Sequence, residues 1–226
     1  MPMDDWAPYG ALRRGTWTHD AAHSPYGAWQ PQFYDVDTNS TTGHEFINET
    51  LFELLNSVGT RERDVYEFGV YTASRMAQFA RRLNGFGHLW GFDSFVGFPD
   101  EAAGVMSPSL WVSGRDSASD AMRLHSTREL LTALRHRIGR ANTTFIVGFY
   151  NESLTPALAA HYSFQPALLV DLDCDLYLST VQALRWLLDN RILVRGSYLR
   201  WANATRYTTG NGPLHLHVSR SCSACR

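Results

Sequence analysis

VYEFGVYTAS (Val65 to Ser74) and, shortly after it, GFDSF (Gly91 to Phe95) decide how this chain folds. Each opens on a short apolar run that reads as a buried parallel strand, and each ends in a carboxylate beside small residues. ALLVDLDCDLYLST (Ala167 to Thr180) repeats the pattern further along. In open α/β sheets, ligands bind outside the carboxyl ends of the strands, where strand order reverses. Glu67, Gly69, Asp93, Asp173 and Asp175 are therefore expected to converge on one crevice.

Outward from these segments, strands alternate with helices. The periodicity predicts a helix within Gly43–Gly59, with Phe46, Ile47, Leu51, Leu54, Leu55 and Val58 at helical spacing and Gly59 as C-cap. Strands follow at Asp64–Val70, His88–Asp93, Thr143–Phe149, Ala167–Leu172 and Gly196–Trp201. Helices are expected near Ala73–Leu83, Ser126–Ile138, Leu154–His161 and Ser179–Leu188. This alternation calls for parallel pairing with right-handed crossovers, hence an α/β, Rossmann-like sheet with helices on both faces. Residues 97–120 read as loop. Residues 1–43, rich in Pro, Gly, Trp, Tyr and Asp without a clear period, read as an irregular arm or lid before a domain spanning 44–226.

The composition of the 226 residues, 44% hydrophobic, allows one sizeable core. A formal charge of -2 provides no footprint for nucleic acid or an anionic membrane. All 20 basic residues are arginine, which excludes a lysine nucleophile or Schiff base. No apolar run is long enough to span a bilayer, and MPMDDWAPYG lacks a leader pattern, so a cytoplasmic protein is expected. Cys174 reads as a small core residue. Cys222 and Cys225 form a terminal CxxC that could bind zinc with His215 and His217, or simply fray.

Two constellations can carry chemistry. In the first, Gly69 lets the backbone approach a ligand, and the following helix offers free N–H groups at its N-terminus. Asp93, ending the next strand, is placed to accept both hydroxyls of a ribose. The alternative is that Glu67 and Asp93 merely cap turns. In the second, Asp171, Asp173 and Asp175 are too many carboxylates for one strand tip to bury unpaired, so at least two should emerge. Closely spaced acids hold a hard cation or raise one another's pKa. The alternative is Asp175 as the N-cap of the helix near Ser179.

The segments EFGVYTAS, WGFDSFVGFP, VGFYNESL and DLDCDLYLST, in this order, resemble class I S-adenosylmethionine-dependent methyltransferases of the macrocin O-methyltransferase type. That resemblance implies an O-methyltransferase acting on a sugar or natural-product hydroxyl, a small-molecule acceptor. It implies that Glu67, Gly69 and Tyr71 line the methionine and adenosine pocket, that Asp93 holds the ribose, and that Ser94 and Phe95 flank the adenine. It further implies Asp173 as a ligand of Mg²⁺ and Asp175 as the base.

Departures from the pattern are specific. Ala73 stands where a second glycine is usual. Two acids that complete the metal site fall at Ala202 and Asn203; Asn203 still offers an oxygen to a hard cation, and Ala202 offers none. With little sequence left after Asn203, and at most one strand in it (Leu214–Val218), the closing strands are expected to be missing. The outer edge of the Tyr198–Leu199 strand would then be bare and invite a homodimer. Two other functional classes fit the motifs: a catalytically silent relative binding S-adenosylmethionine or a partner, and a nicotinamide-dependent oxidoreductase. The absence of GxGxxG and of any lysine disfavours the second.

Overall fold

The computed structural model describes residues 12–16, 31–37, 49–58, 60–100, 113–201 and 215–221. Their strands are β1 (Leu12–Thr16), β2 (Pro31–Asp37), β3 (Asp64–Phe68), β4 (Leu89–Asp93), β5 (Thr143–Val147), β6 (Ala167–Leu172), β7 (Tyr198–Trp201) and β8 (His215–Ser221). The helices are α1 (Glu49–Val58), α2 (Ser74–Arg82), α3 (Ala118–Met122), α4 (Thr127–Ile138), α5 (Tyr150–Ser153), α6 (Pro156–His161) and α7 (Tyr177–Asp189). All strands lie in one sheet of order β1-β2-β8-β7-β6-β3-β4-β5.

The five strands from β7 to β5 are parallel, as their sequences require. Every residue of β3 and β6 is buried, because helices cover both faces and leave no side for polar alternation. Val65, Leu89, Leu169 and Phe145 point into a core shared with α1, α2 and α4. Tyr66, Phe68, Trp90, Phe92 and Val170 point to the other face, against α7 and the segment from Tyr150 to Phe164. Strand order reverses between β3 and β6, since β4 and β5 run out on one side of β3 and β6 and β7 on the other. The crevice predicted from sequence sits above this point.

Helix ends follow local chemistry. Ser126 caps α4 by accepting from the Glu129 N–H, and Gly139 closes it in the left-handed conformation. The segment read as a loop carries the short helix α3, and its stem is tied by Phe98 N–H to the Arg115 carbonyl at 3.0 Å. Helix α7 begins two residues earlier than Ser179. The C-cap expected at Gly59 lies outside the described residues, as do Cys222 and Cys225.

The sheet continues beyond β7, which corrects the expectation of a bare edge there. Strand β8 pairs antiparallel with β7, β2 with β8, and β1 with β2. The segment expected to be irregular thus contributes two strands, and Tyr198 and Leu199 face Arg220 and Ser219 across the ladder. The outer side of the Tyr198–Leu199 strand is therefore paired within the chain. No helix among the described residues is long and apolar enough to cross a membrane.

Candidate active site

A cavity of about 510 Å³ opens at the carboxyl ends of β3, β4, β5 and β6. That size suits a drug-sized ligand. Glu67, Gly69, Tyr71, Asp93, Ser94, Asp173 and Asp175 all line it, so the structure brings together every predicted residue of the described set except Phe95. Asn203 and Ala202 lie outside the described residues.

The first wall is the turn after β3. Gly69 has φ +91°, and its N–H donates to the Phe92 carbonyl at 3.0 Å. A Cβ on Gly69 would collide with the Asp173 carbonyl, its carbon only 2.9 Å away. Glycine is thus required by the crossing with the chain leaving β6, a different reason from the approach to a ligand read in the sequence. Tyr71 (φ 49°) and Ala73 (φ 59°) are also left-handed. Ala73 holds, at a cost of about 1–2 kcal/mol, the conformation that a second glycine would adopt freely.

Asp93 fastens this turn to β4. Its Oδ2 accepts the Tyr71 N–H at 2.8 Å and its Oδ1 the Phe95 N–H at 2.6 Å. Burial pushes its carboxyl above the usual aspartate range, against these backbone donors, which pull it down. Each carboxylate oxygen has two acceptor sites, so capacity for a diol remains. Ser94 turns its hydroxyl back to the Gly97 carbonyl at 2.7 Å. Phe95 corrects the sequence reading. Its left-handed backbone (φ 61°) accompanies a ring buried in the core, edge-on to Phe145 at 5.6 Å between centroids. Phe98, Pro99 and Phe149 supply the aromatic and apolar lining instead.

The second wall is the acid run after β6. Strand register sets Glu67 beside Asp171, and Asp171 beside Arg200. Asp171 is fully buried; its Oδ1 accepts from Arg200 Nη1 and its Oδ2 lies 3.5 Å from Arg75 Nη1. Arg75 Nη1 also approaches Asp173 Oδ2 at 2.8 Å. Asp173 and Asp175 are half-buried and face the cavity, so two of the three aspartates emerge, as the sequence required. Asp175 does not head α7: the cap position is Leu176, which provides no side-chain acceptor.

Glu67 forms the cavity floor at 1% exposure, and its Oε2 has no hydrogen-bond partner. Burial, then the charge of Asp171, pushes its carboxyl well above the ordinary glutamate value. Burial alone would lower the Arg75 guanidinium, but Asp171, Asp173 and Glu67 outweigh it and hold the charge firmly. Two guanidinium groups, Arg75 and Arg200, thus face the carboxylates of Asp171 and Asp173.

Two features escaped the sequence reading. Arg75 is one; Tyr150 is the other. The Tyr150 hydroxyl donates to the Phe92 carbonyl at 3.1 Å and lies 3.7 Å from Cys174 Sγ, joining α5 to the ends of β4 and β6. Burial pushes the Cys174 thiol up, so it is a packing residue, as expected.

Among solved structures, CalS11, a calicheamicin methyltransferase, matches with a TM-score of 0.54 at 21% identity, over 70% of this chain and 62% of that one. The fold is a methyltransferase fold. The O-methyltransferase NovP matches with a TM-score of 0.49 at 20% identity, over 71% of this chain and 67% of NovP. The chain thus spans a little under two thirds of the length of CalS11. No protein-family model matches it, and no curated protein does.

Proposed function

We propose that this chain binds S-adenosylmethionine in the cavity and methylates a hydroxyl of a small molecule, a sugar or natural product in keeping with the macrocin-type motifs. The observation that carries the reading is Asp93: a carboxylate held by two backbone N–H groups at the tip of β4, beside the Gly69 turn, with acceptor capacity left over. Turn caps need no cavity beside them, and this one lines a space of about 510 Å³. The methyltransferase fold is consistent with it.

Bound S-adenosylmethionine would supply an electrophilic methyl group on a sulfonium. The protein's part is placement and proton removal. Asp93 would accept the ribose hydroxyls, and the Gly69–Ala73 turn and the start of α2 would face the methionine end. Asp175 would take the proton from the acceptor hydroxyl as the oxygen–methyl bond forms. Holding the oxygen at about 3 Å from the methyl supplies much of the acceleration. Besides Glu67, whose burial favours the neutral form, five carboxyl groups line the cavity (Asp93, Asp100, Asp116, Asp173 and Asp175) against Arg75, which favours an uncharged or cationic acceptor over an anionic one.

Magnesium, which the resemblance implies, fits these residues poorly. Asp173 is engaged by a guanidinium at 2.8 Å, and the described residues hold no group of three or more His, Cys, Asp or Glu able to take a metal. The scheme above uses none. It is tested by incubating the protein with methyl-labelled S-adenosylmethionine and a panel of hydroxylated glycosides. Transfer is expected with wild type and a fall of about 10²–10⁴-fold in Asp175→Asn, the range for loss of a general base. Equal rates in both would remove Asp175 from the chemistry.

A further inference from the structure

The carboxylate that the motifs assign to a metal already has a cation. Helix α2 starts at Ser74, directly after the left-handed Ala73, and this sets its first turn over the ends of β3 and β6. Arg75 there reaches down with a side chain only 13% exposed, placing Nη1 2.8 Å from Asp173 Oδ2 and 3.5 Å from Asp171 Oδ2. Arg200 covers the remaining oxygen of Asp171 from the other side. Both aspartates are thus neutralised by fixed side-chain charges before any ion arrives. Mg²⁺ demands near-octahedral oxygen ligation and dehydrates reluctantly. At Asp173 it would meet a guanidinium on the carboxylate it needs, and like charges at that range repel strongly away from bulk water.

We propose that Arg75 takes the electrostatic place of a divalent cation beside Asp173, so that this site works without magnesium. The inference rests on reading Asp173 and Asp175 as the acceptor side of a methyltransferase site. Arg75 lines the cavity, so its charge favours negative charge developing on the acceptor oxygen. The step balances without a metal. The acceptor O–H proton passes to Asp175, the oxygen lone pair forms the new bond to the methyl carbon, and the carbon–sulfur bond breaks to leave neutral S-adenosylhomocysteine.

The test is a metal titration of the ligand-free protein and of its complex with S-adenosylhomocysteine. Mn²⁺ binding is followed by electron paramagnetic resonance and Mg²⁺ binding by calorimetry. Wild type should show no saturable site up to about 10 mM, a range in which a weak but dedicated cation site would fill. Its affinity for S-adenosylhomocysteine should change less than about twofold between EDTA and excess Mg²⁺, well inside the tenfold that one strong coupling brings. Arg75→Met, which removes the charge and keeps the apolar stem, should bind Mn²⁺ at least about tenfold more tightly than wild type. Arg75→Lys should behave as wild type. Saturable metal binding to wild type below about 10 mM, loss of S-adenosylhomocysteine affinity in EDTA, or a folded Arg75→Met with no gain in Mn²⁺ affinity would each overturn the proposal. If Arg75→Met does not fold, the wild-type and Arg75→Lys titrations decide alone. A protein that never binds S-adenosylhomocysteine would reject the methyltransferase reading, while the titration without ligand still decides the role of Arg75.

Discussion

Asp64 and Glu67 lie on the same strand, three residues apart, and both are buried, at 2% and 1% exposure. At the amino edge of the sheet, Asp64 Oδ1 accepts the His88 N–H at 2.8 Å. Its Oδ2 accepts the Trp90 indole N–H at 2.8 Å, the Gln165 N–H at 3.3 Å and the Tyr66 hydroxyl at 3.4 Å. At the carboxyl edge, Glu67 has an oxygen with no partner, and Asp93, Asp173 and Asp175 line open space. A buried acid with a closed set of donors ties β3, β4 and the approach to β6 together. A buried acid with an unpartnered oxygen, as at Glu67, leaves capacity for a ligand. The two ends of one sheet thus differ: the acid at one end is closed in by donors, and the acids at the other line a cavity.

That division can be broken by experiment. The largest effect is expected from Asp64→Ala, which strands the His88, Trp90 and Gln165 donors together. The loss should be about 3–5 kcal/mol of stability, read by urea denaturation, because each unsatisfied buried group costs about 1–3 kcal/mol. A change below 1 kcal/mol would mean that the amino-edge cluster is not a structural tie. Next, Asp93→Ala should weaken S-adenosylhomocysteine binding by about 1.5–3 kcal/mol, the range for hydrogen bonds to a charged acceptor. Unchanged affinity in the folded variant would reject the ribose role.

A smaller and pH-dependent effect belongs to Glu67. Its folded value is raised above the ordinary 4.5, so the fold favours the protonated form. That contribution is complete below 4.5 and is lost as pH rises toward the raised value. Glu67→Gln keeps the neutral shape, so its stability should fall less steeply than wild type between about pH 4.5 and neutrality, and at acid pH the two should agree within about 1 kcal/mol. Asp93, raised in the same direction, leaves part of the slope in both proteins. Identical slopes would show that Glu67 is ionised in the folded protein.

The parts of the molecule legible in sequence are those where one local pattern suffices. VYEF, LWGF and ALLVDL are apolar but for one acid each in VYEF and ALLVDL, because both faces are covered, and the acid at or near the end of each run marks the carboxyl edge. What the sequence concealed is non-local. PQFYDVD becomes a strand by pairing with HLHVSRS, far along the chain, where the sequence offered a strand at Leu214–Val218; PQFYDVD itself has no apolar run to signal it. Arg75 reads as an ordinary polar residue of an amphipathic helix, since its partners Asp171 and Asp173 come from another strand end. Phe95 was misplaced for a related reason: only the left-handed turn and the ring of Phe145 decide that it packs inward.

The claim that the carboxyl edge is a cofactor site is tested most directly by calorimetric titration of the wild-type protein with S-adenosylhomocysteine, with NADH as the comparison ligand. The account predicts saturable one-to-one binding of S-adenosylhomocysteine and none of NADH. A folded protein that gives no binding heat with S-adenosylhomocysteine and no thermal stabilisation by it, or that binds NADH in its place, would contradict it.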